Sequence, residues 1–365
     1  MSKSHTRMLV NDHRSTKSSL CPLSRLPSAM STTLLVGAAM ALPLLISALV
    51  SRPKRPRTTS IAATRERVVI IGASSGIGSE LARIYAHRHA HIVLVARRMD
   101  LLQQLVEELR SIAGSIHAIQ GDVTLSEDVR RITIESLRAL NGGVDTLIIC
   151  AGIISVLPFE ELAGIDLAKA EVAEATSGSD MDTAFSHLMP SNSQAALDAS
   201  VKIMNVNYHA PLNLTSHFLP ALTRTSPAGN IIVVSSMAGK IGAPTRSIYS
   251  GSKHAVQGFF ESLGMEVERS GVHVGIVSPG TVATDLRQSA VDLPKADASV
   301  TEARKISGTK KGAMTARACA EGIVRCSDLR QHEVVMPWFY NMSLWLEMLS
   351  PGLVRWLAKK KYGYL

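Results

Sequence analysis

A tyrosine and a lysine four residues apart are well suited to proton transfer. Tyr249 and Lys253 stand in the run YSGSK, and Ser236 precedes the tyrosine by thirteen residues. On a helix the two side chains would share one face. An ammonium group near a phenol lowers its pKa from about 10 toward the neutral range, as a general acid/base at that pH requires. Because such a pair alone is more often a surface helix pair, its interpretation depends on the other motifs.

A glycine-rich loop is the second motif. Gly72, Gly76 and Gly78 follow the apolar run at 68–71 and precede a helical pattern. A strand, a glycine loop and a helix in this order are typical of a dinucleotide site. The glycines permit the turn, the close approach of the pyrophosphate and tight packing, and the helix N-terminus attracts the phosphates. Together the two motifs predict hydride transfer between a nicotinamide and a carbonyl or alcohol.

Two arginines end the second apolar run and bear on the choice of cofactor. An acidic residue there would bind the ribose 2′-hydroxyl of NAD, whereas arginine suits the 2′-phosphate of NADP. Arg97 and Arg98 therefore predict NADP(H), with a solvated arginine pair as the alternative interpretation. Asp122 follows the third apolar run, where its carboxylate could accept from the adenine amine or cap a turn.

These motifs, in this order and spacing, resemble those of the short-chain dehydrogenase/reductase family over roughly residues 67–337. The resemblance implies that Tyr249 transfers the proton and that Ser236 holds the carbonyl oxygen. It also implies that Lys253 bonds the ribose and lowers the tyrosine pKa. Asn207 would hold a helix irregularity and a water that links Lys253 to solvent.

The same resemblance implies a set of cofactor-binding residues. Two positions depart from the family pattern, since Ile71 stands where threonine is usual and Cys150 stands where asparagine is usual. Backbone contacts to the cofactor could persist at Cys150. The expected set is Gly72, Ser74, Ser75, Gly76, Ile77, Gly78, Arg97, Arg98, Asp122, Val123, Cys150, Ala151, Gly152, Tyr249, Lys253, Pro279, Gly280, Val282 and Thr284.

The distribution of charge argues against nucleic acid as a partner. The net charge of +9 arises within residues 1–67, which hold eleven Lys and Arg and two acidic residues, so the remaining chain is formally neutral. The basic excess flanks an apolar segment and therefore indicates membrane topology. The four cysteines have neither metal-ligand spacing nor the pattern of a disulfide framework, so we expect no metal.

The N-terminal region predicts a membrane anchor. Residues 1–30 are polar and basic and should be disordered, and 31–51 contain an apolar stretch long enough to span a bilayer. A basic linker is expected at 52–66. The flanking charges favour a single-pass protein with a cytosolic catalytic domain, and we expect the membrane to be that of the endoplasmic reticulum. A cleaved signal peptide and a buried or transit segment are the alternatives. Glycosylation sequons at Asn213 or Asn341, if used, would instead argue for a lumenal body.

The chain from 67 to 337 alternates apolar runs with helical patterns. This predicts an α/β fold, a Rossmann-type doubly wound parallel sheet with helices on both faces. A polar insertion at about 156–199 interrupts the pattern, and we interpret it as a mobile flap beside the substrate entrance or as a decorative loop. Helices predicted at 199–222 and 247–270 could form a homodimer interface.

An apolar and basic segment at 338–365 holds all three tryptophans and ends in a lysine cluster. It could lie on a membrane, close the substrate cleft or form a dimer interface. The membrane anchor and the runs at 94–98 and 349–353 make the chain similar to the 11-beta-hydroxysteroid dehydrogenase-like and dehydrogenase/reductase member 7-like members of the family. Ketosphinganine reductases are the nearest rival. We expect a lipophilic ketone or secondary alcohol as substrate (a steroid, sphingoid or other lipid), and the alternative function is a non-catalytic NADP-binding scaffold.

Overall fold

The structure is a computed structural model that describes residues 56–165, 189–292 and 313–365. The predicted disordered N-terminus, the predicted anchor at 31–51 and the middle of the predicted insertion lie outside these residues. Within the described ranges, no helix is both long and apolar enough to cross a membrane.

A sheet of seven parallel strands forms the centre of the fold, in the order β3-β2-β1-β4-β5-β6-β9. The strands follow the apolar runs of the sequence because parallel strands are covered on both faces. Two further short strands, β7 and β8, pair with each other near the active-site end. The strands are β1 Arg67–Ile71, β2 His91–Ala96, β3 Ser115–Gln120, β4 Thr146–Ile149, β5 Asn230–Val234, β6 His273–Pro279, β7 Val282–Ala283, β8 Met314–Thr315 and β9 Glu333–Met336.

Helices pack on both faces of this sheet. Alternate residues of β1 point to opposite sides, so Val68 and Ile70 join one buried cluster while Val69 and Ile71 join the other. Strand order reverses between β1 and β4, and the crevice at that switch point is where such sheets bind ligands. The helices are α1 Gly76–His87, α2 Met99–Leu109, α3 Ser126–Ala139, α4 Phe159–Ala163, α5 Ser193–Met204, α6 Ala210–Thr225, α7 Ser247–Val267, α8 Ala316–Leu329, α9 Tyr340–Leu349 and α10 Pro351–Tyr362.

The ends of the predicted insertion at 156–199 belong to the folded body, which corrects its boundaries. Helices α4 and α5 bury a small apolar cluster that includes Leu162, Ala163, Ala196 and Ala199. The apolar residues of these two helices are few and mostly small, so they produce no sustained periodic pattern in the sequence. The flap interpretation covered the whole insertion, and its middle part, 166–188, lies outside the described residues.

The predicted linker at 52–66 also requires correction, because residues 56–66 fold against the sheet. Arg57 is buried and donates to the backbone carbonyls of Ala228 and Asp145 and to the carboxylate of Glu66. Glu66 in turn accepts from the hydroxyl of Thr146 at 2.6 Å. A charged side chain is tolerated at such depth only when it is paired and hydrogen-bonded, as both are here.

Candidate active site

The glycine loop lies against the end of β4. Gly72 has a φ of +89°, and a Cβ there would lie 2.7 Å from the backbone nitrogen of Ala151. A Cβ on Gly78 would overlap the carbonyl oxygen of Gly72. Both positions therefore exclude larger residues, and the loop brings backbone N–H groups to the N-terminus of α1, as a pyrophosphate requires. The loop fits a dinucleotide.

The arginines after β2 lie beside this loop. Arg98 donates from Nη2 to the hydroxyls of Ser74 at 2.9 Å and Ser75 at 2.8 Å. Arg97 is exposed on the same cleft. Asp122 accepts from the N–H and the hydroxyl of Thr124 through one oxygen, so the predicted turn-capping alternative is realised in the structure. Its role toward adenine stays a prediction.

One cleft of about 1150 Å³ gathers the residues that the sequence analysis singled out. All the predicted cofactor-binding residues line it, from Gly72 at one end to Thr284 at the other. Ser236, Tyr249 and Lys253 line it as well. Asn207 lies behind its wall.

Tyr249 and Lys253 lie one turn apart on α7, both almost completely buried. The lysine Nζ donates to the carbonyl oxygen of Val234 at 2.9 Å and lies 5.9 Å from the centre of the tyrosine ring. Burial lowers the pKa of Lys253 to about 8, against a smaller opposing effect of the Cys150 sulfur. Part of the lysine population is therefore neutral at mildly basic pH.

The predicted lowering of the tyrosine pKa by Lys253 is not found. Burial raises the pKa of Tyr249 above its ordinary value, and the groups that oppose this are the hydroxyl of Ser236 and the charge of Arg246. Ser236 also accepts from the N–H of Ala238 at 3.1 Å, which orients its hydroxyl. The phenol is therefore protonated at neutral pH and able to donate.

Asn207 occupies a π-helical turn, Asn205–His209, between α5 and α6. Its Oδ1 accepts from the N–H of Ile153 at 2.9 Å, and its Nδ2 donates to the carbonyl of Ile153 and the hydroxyl of Ser252, each at 3.0 Å. The helix irregularity implied by the resemblance is present. Asn207 thus ties the end of β4 to the helix that carries the tyrosine.

Cys150 also lines the cleft, and burial raises the pKa of its thiol. Its backbone N–H donates to the carbonyl oxygen of Ile71 and continues the β1–β4 pairing by one residue. A neutral thiol here adds an apolar contact rather than a nucleophile.

Several cleft residues were missed by sequence reasoning. Arg246 and Arg287 line the end near Tyr249, and helices α9 and α10 contribute further side chains. A Cβ on Gly280 would overlap the ring of Tyr340, so the C-terminal segment packs directly on the loop after β6. The arginines carry no local motif, whereas the apolar periodicity of the C-terminal segment was visible. The C-terminal residues are Tyr340, Ser343, Leu346, Val354, Leu357, Ala358, Lys361 and Tyr362.

Comparison with known proteins identifies the family. The short chain dehydrogenase family model matches residues 66–178 and 181–294. Dehydrogenase/reductase SDR family member 7B of Mus musculus is 31% identical over 78% of this chain and 78% of its own length. The 11-beta-hydroxysteroid dehydrogenase-like 4A of Arabidopsis thaliana is 31% identical over 79% of this chain and 81% of its own length. The chain belongs to the short-chain dehydrogenase/reductase family.

Solved structures agree with the fold. A short-chain dehydrogenase/reductase from Burkholderia phymatum, determined with NAD, has a TM-score of 0.62 at 19% identity and covers 80% of this chain and 96% of its own. An alcohol dehydrogenase from Thermococcus sibiricus, determined with 5-hydroxy-NADP, has a TM-score of 0.55 at 23% identity and covers 74% and 96%. The protein is an oxidoreductase of this family, and the family binds a nicotinamide dinucleotide.

Proposed function

We propose that this enzyme interconverts a ketone and a secondary alcohol on a lipophilic substrate with NADP(H), using Tyr249 as general acid/base. The observation that carries the proposal is the single cleft that joins three features. They are the glycine loop with its arginines, the buried Tyr249–Lys253 pair beside Ser236, and the apolar side chains of α9 and α10.

The residues of the chain support a proton-donating site. The nicotinamide, when bound, supplies or accepts the hydride. Tyr249 holds its proton at neutral pH, so it can donate to a carbonyl oxygen that Ser236 accommodates by hydrogen bonding. Lys253, held by the carbonyl of Val234, places a buried ammonium beside the phenol. Asn207 fixes the wall of the cleft behind them.

The arginine end of the cleft supports NADP(H) over NAD(H). Arg98 already donates to Ser74 and Ser75, so its guanidinium is held at the rim of the glycine loop. Arg97 is exposed beside it and free of a carboxylate among the described residues. Two guanidinium groups that no carboxylate pairs with among the described residues favour the dianionic 2′-phosphate of NADP over the 2′-hydroxyl of NAD.

The C-terminal helices support association with a membrane. Their outer face exposes large apolar side chains, with Trp345 exposed by 59%, Leu349 by 76% and Trp356 by 46%. Lys359, Lys360 and Lys361 follow in the last turn of α10. Exposed tryptophans together with a lysine cluster on these two helices fit an interfacial position. With the anchor predicted at 31–51, we propose a single-pass protein of the endoplasmic reticulum with a cytosolic catalytic domain.

Pairing of two copies through α6 and α7 is also part of the proposal. Helix α7 exposes Gly251 and Gly258, at which a Cβ would meet nothing within 4 Å, and Met265 is 74% exposed. Small residues along an exposed helix allow close approach of a second helix. Sedimentation of the detergent-solubilised protein would test this arrangement.

A panel of lipid ketones with NADPH tests the proposed activity against the alternative of a non-catalytic scaffold. Tyr249→Phe should abolish turnover and leave NADPH affinity nearly unchanged, because the ring still packs. Tyr85→Phe is the matched control, since Tyr85 is fully buried in α1 and its hydroxyl has no hydrogen-bond partner within the described structure. NADPH binding without reduction of any ketone in the panel would support the scaffold.

A further inference from the structure

Two arginines from separate parts of the chain meet near the catalytic tyrosine. Arg246 directly precedes α7, and Arg287 lies in the 3-10 turn Asp285–Ser289. Both line the cleft. Burial lowers the pKa of Arg246, Tyr362 opposes this shift, and the neighbouring charge of Arg287 adds to it. Two cations held together in a partly buried site repel each other, and a bound anion would relieve that repulsion.

The hydrogen bonds of Arg246 leave one side of its guanidinium without a protein partner. All of them come from Nη1, which donates to the carbonyl of Ser155 at 3.4 Å and to the carbonyl and hydroxyl oxygens of Thr245 at 2.9 and 3.0 Å. Nε and Nη2 have no partner among the described residues. Arg246 is only 8% exposed, so these groups are held at the cleft wall rather than in open solvent.

Neither arginine forms an ion pair within the described part of the chain. Asp292 favours the charged form of Arg246 through space, but its Oδ2 accepts from the hydroxyl of Ser155 and from the N–H groups of Val156 and Leu157 at 2.7–2.9 Å. Arg287 donates no hydrogen bond to a described residue. Among the described residues, the positive charge of the pair is therefore offset only through space and by no direct ion pair.

The backbone of Thr245 holds Arg246 in place. Its φ of +61° is an outlier for a β-branched residue. In this conformation both of its oxygens face Nη1 of Arg246. Strained backbone of this kind persists only where the surrounding structure requires it, and it is often found at ligand sites.

We infer that the substrate carries an anionic group close to its reacting carbonyl, and that Arg246 and Arg287 bind this group. The inference rests on the proposed function, because Tyr249 marks the position of the carbonyl. Arg246 and Tyr249 line the same cleft, and the charge of Arg246 acts on the tyrosine, so an anion bound by its guanidinium would lie near that carbonyl. Carboxylates and phosphates both accept paired hydrogen bonds from arginine. The substrate class is an oxo-lipid with an acidic head, whose chain lies along α9 and α10.

Equilibrium binding tests this site independently of turnover. Octanoate, octyl phosphate and 1-octanol share one chain length and differ in head group. Each compound is titrated calorimetrically into the full-length protein. Saturating NADP+ is present, so that the alkyl phosphate cannot bind at the Arg97–Arg98 end of the cleft. At least one anion should bind tenfold or more tightly than octanol, and the preferred anion tells a carboxylate head from a phosphate head. The bound anion should also compete with any ketone that the enzyme reduces.

Substitution of the arginines locates the effect. Arg287→Gln removes a side chain without hydrogen bonds to described residues and should preserve the fold. It should weaken anion binding at least tenfold and leave octanol unchanged, as should Arg246→Gln. Arg110→Gln, on the exposed surface outside the cleft, is the control. Equal binding of octanol, or anion preference kept in both variants, overturns the inference. Failure of the proposed function would appear separately, as absence of ketone turnover in a protein that still selects anions.

Discussion

Replacement of Lys253 by methionine should abolish turnover and yet stabilise the fold at neutral pH. Burial lowers the lysine pKa from 10.5 to about 8, and a fall of this size corresponds to about 3 kcal/mol of unfavourable free energy for the charged form. Methionine removes that penalty and fills a similar volume. The carbonyl of Val234 loses its donor, which costs about 1–2 kcal/mol. The net gain should be about 1–2 kcal/mol at pH 7.

The change of protein stability with pH gives a second test of the penalty for burying the charged lysine. Between pH 8 and 10.5 the unfolded chain binds more protons at this lysine than the folded chain, so wild-type stability rises with pH there. Below pH 8 the penalty is complete. The advantage of Lys253→Met should therefore be full at pH 7 and should shrink toward pH 10.

Urea denaturation of the full-length protein in detergent, without nucleotide, at pH 7 and pH 9.5 measures both quantities. Lys202→Met, at an exposed lysine, is the control. A variant less stable than wild type at pH 7, or one with the same pH dependence, would refute the reasoning.

Three further predictions concern the cofactor site and the fold. Arg97→Asp should lower the ratio of kcat/KM for NADPH to that for NADH at least tenfold, since each charge-assisted bond to a phosphate contributes about 1.5–3 kcal/mol; an unchanged ratio contradicts it, with Arg110→Asp as control. Gly78→Ala should weaken nucleotide binding in fluorescence titrations, because its Cβ overlaps the carbonyl of Gly72. Arg57→Met should destabilise the protein by about 3–5 kcal/mol in urea, because Glu66 is left buried and unpaired; a loss below 1 kcal/mol would restore the linker interpretation.

The sheet was predictable because buried parallel strands are continuous apolar runs. The run at 68–71 and the strand Arg67–Ile71 differ by one residue. Helix α5 was predicted to begin at 199 but begins at Ser193. Its first turns hold Gln194, Leu197 and Asp198, and Leu197 is exposed, so no apolar stripe marks them. Burial of Ala196 depends on α4, which is distant in sequence.

The positions of the site residues were predictable from spacing, but their electrostatics were not. The four-residue interval places Tyr249 and Lys253 on one face of α7. It does not reveal that Lys253 reaches back to Val234 on β5, or that both side chains are buried. Desolvation depends on these tertiary contacts and reverses the direction expected for the tyrosine pKa. The Arg246–Arg287 pair was not predicted for the same reason, since the two arginines are distant in sequence and come near each other only in the folded chain.

The C-terminal helices reconcile two interpretations that the sequence left open. Leu346 and Val354 face the cleft, whereas Trp345 and Leu349 on the same pair of helices face outward. One apolar element therefore forms both a cleft wall and an unpartnered outer surface. If that surface rests in a membrane, a lipid chain moves from bilayer to cleft past apolar side chains without crossing water, which hydrophobic transfer favours. Its acidic head would then meet Arg246 and Arg287 at the polar end, beside the phenol of Tyr249, the proposed proton donor.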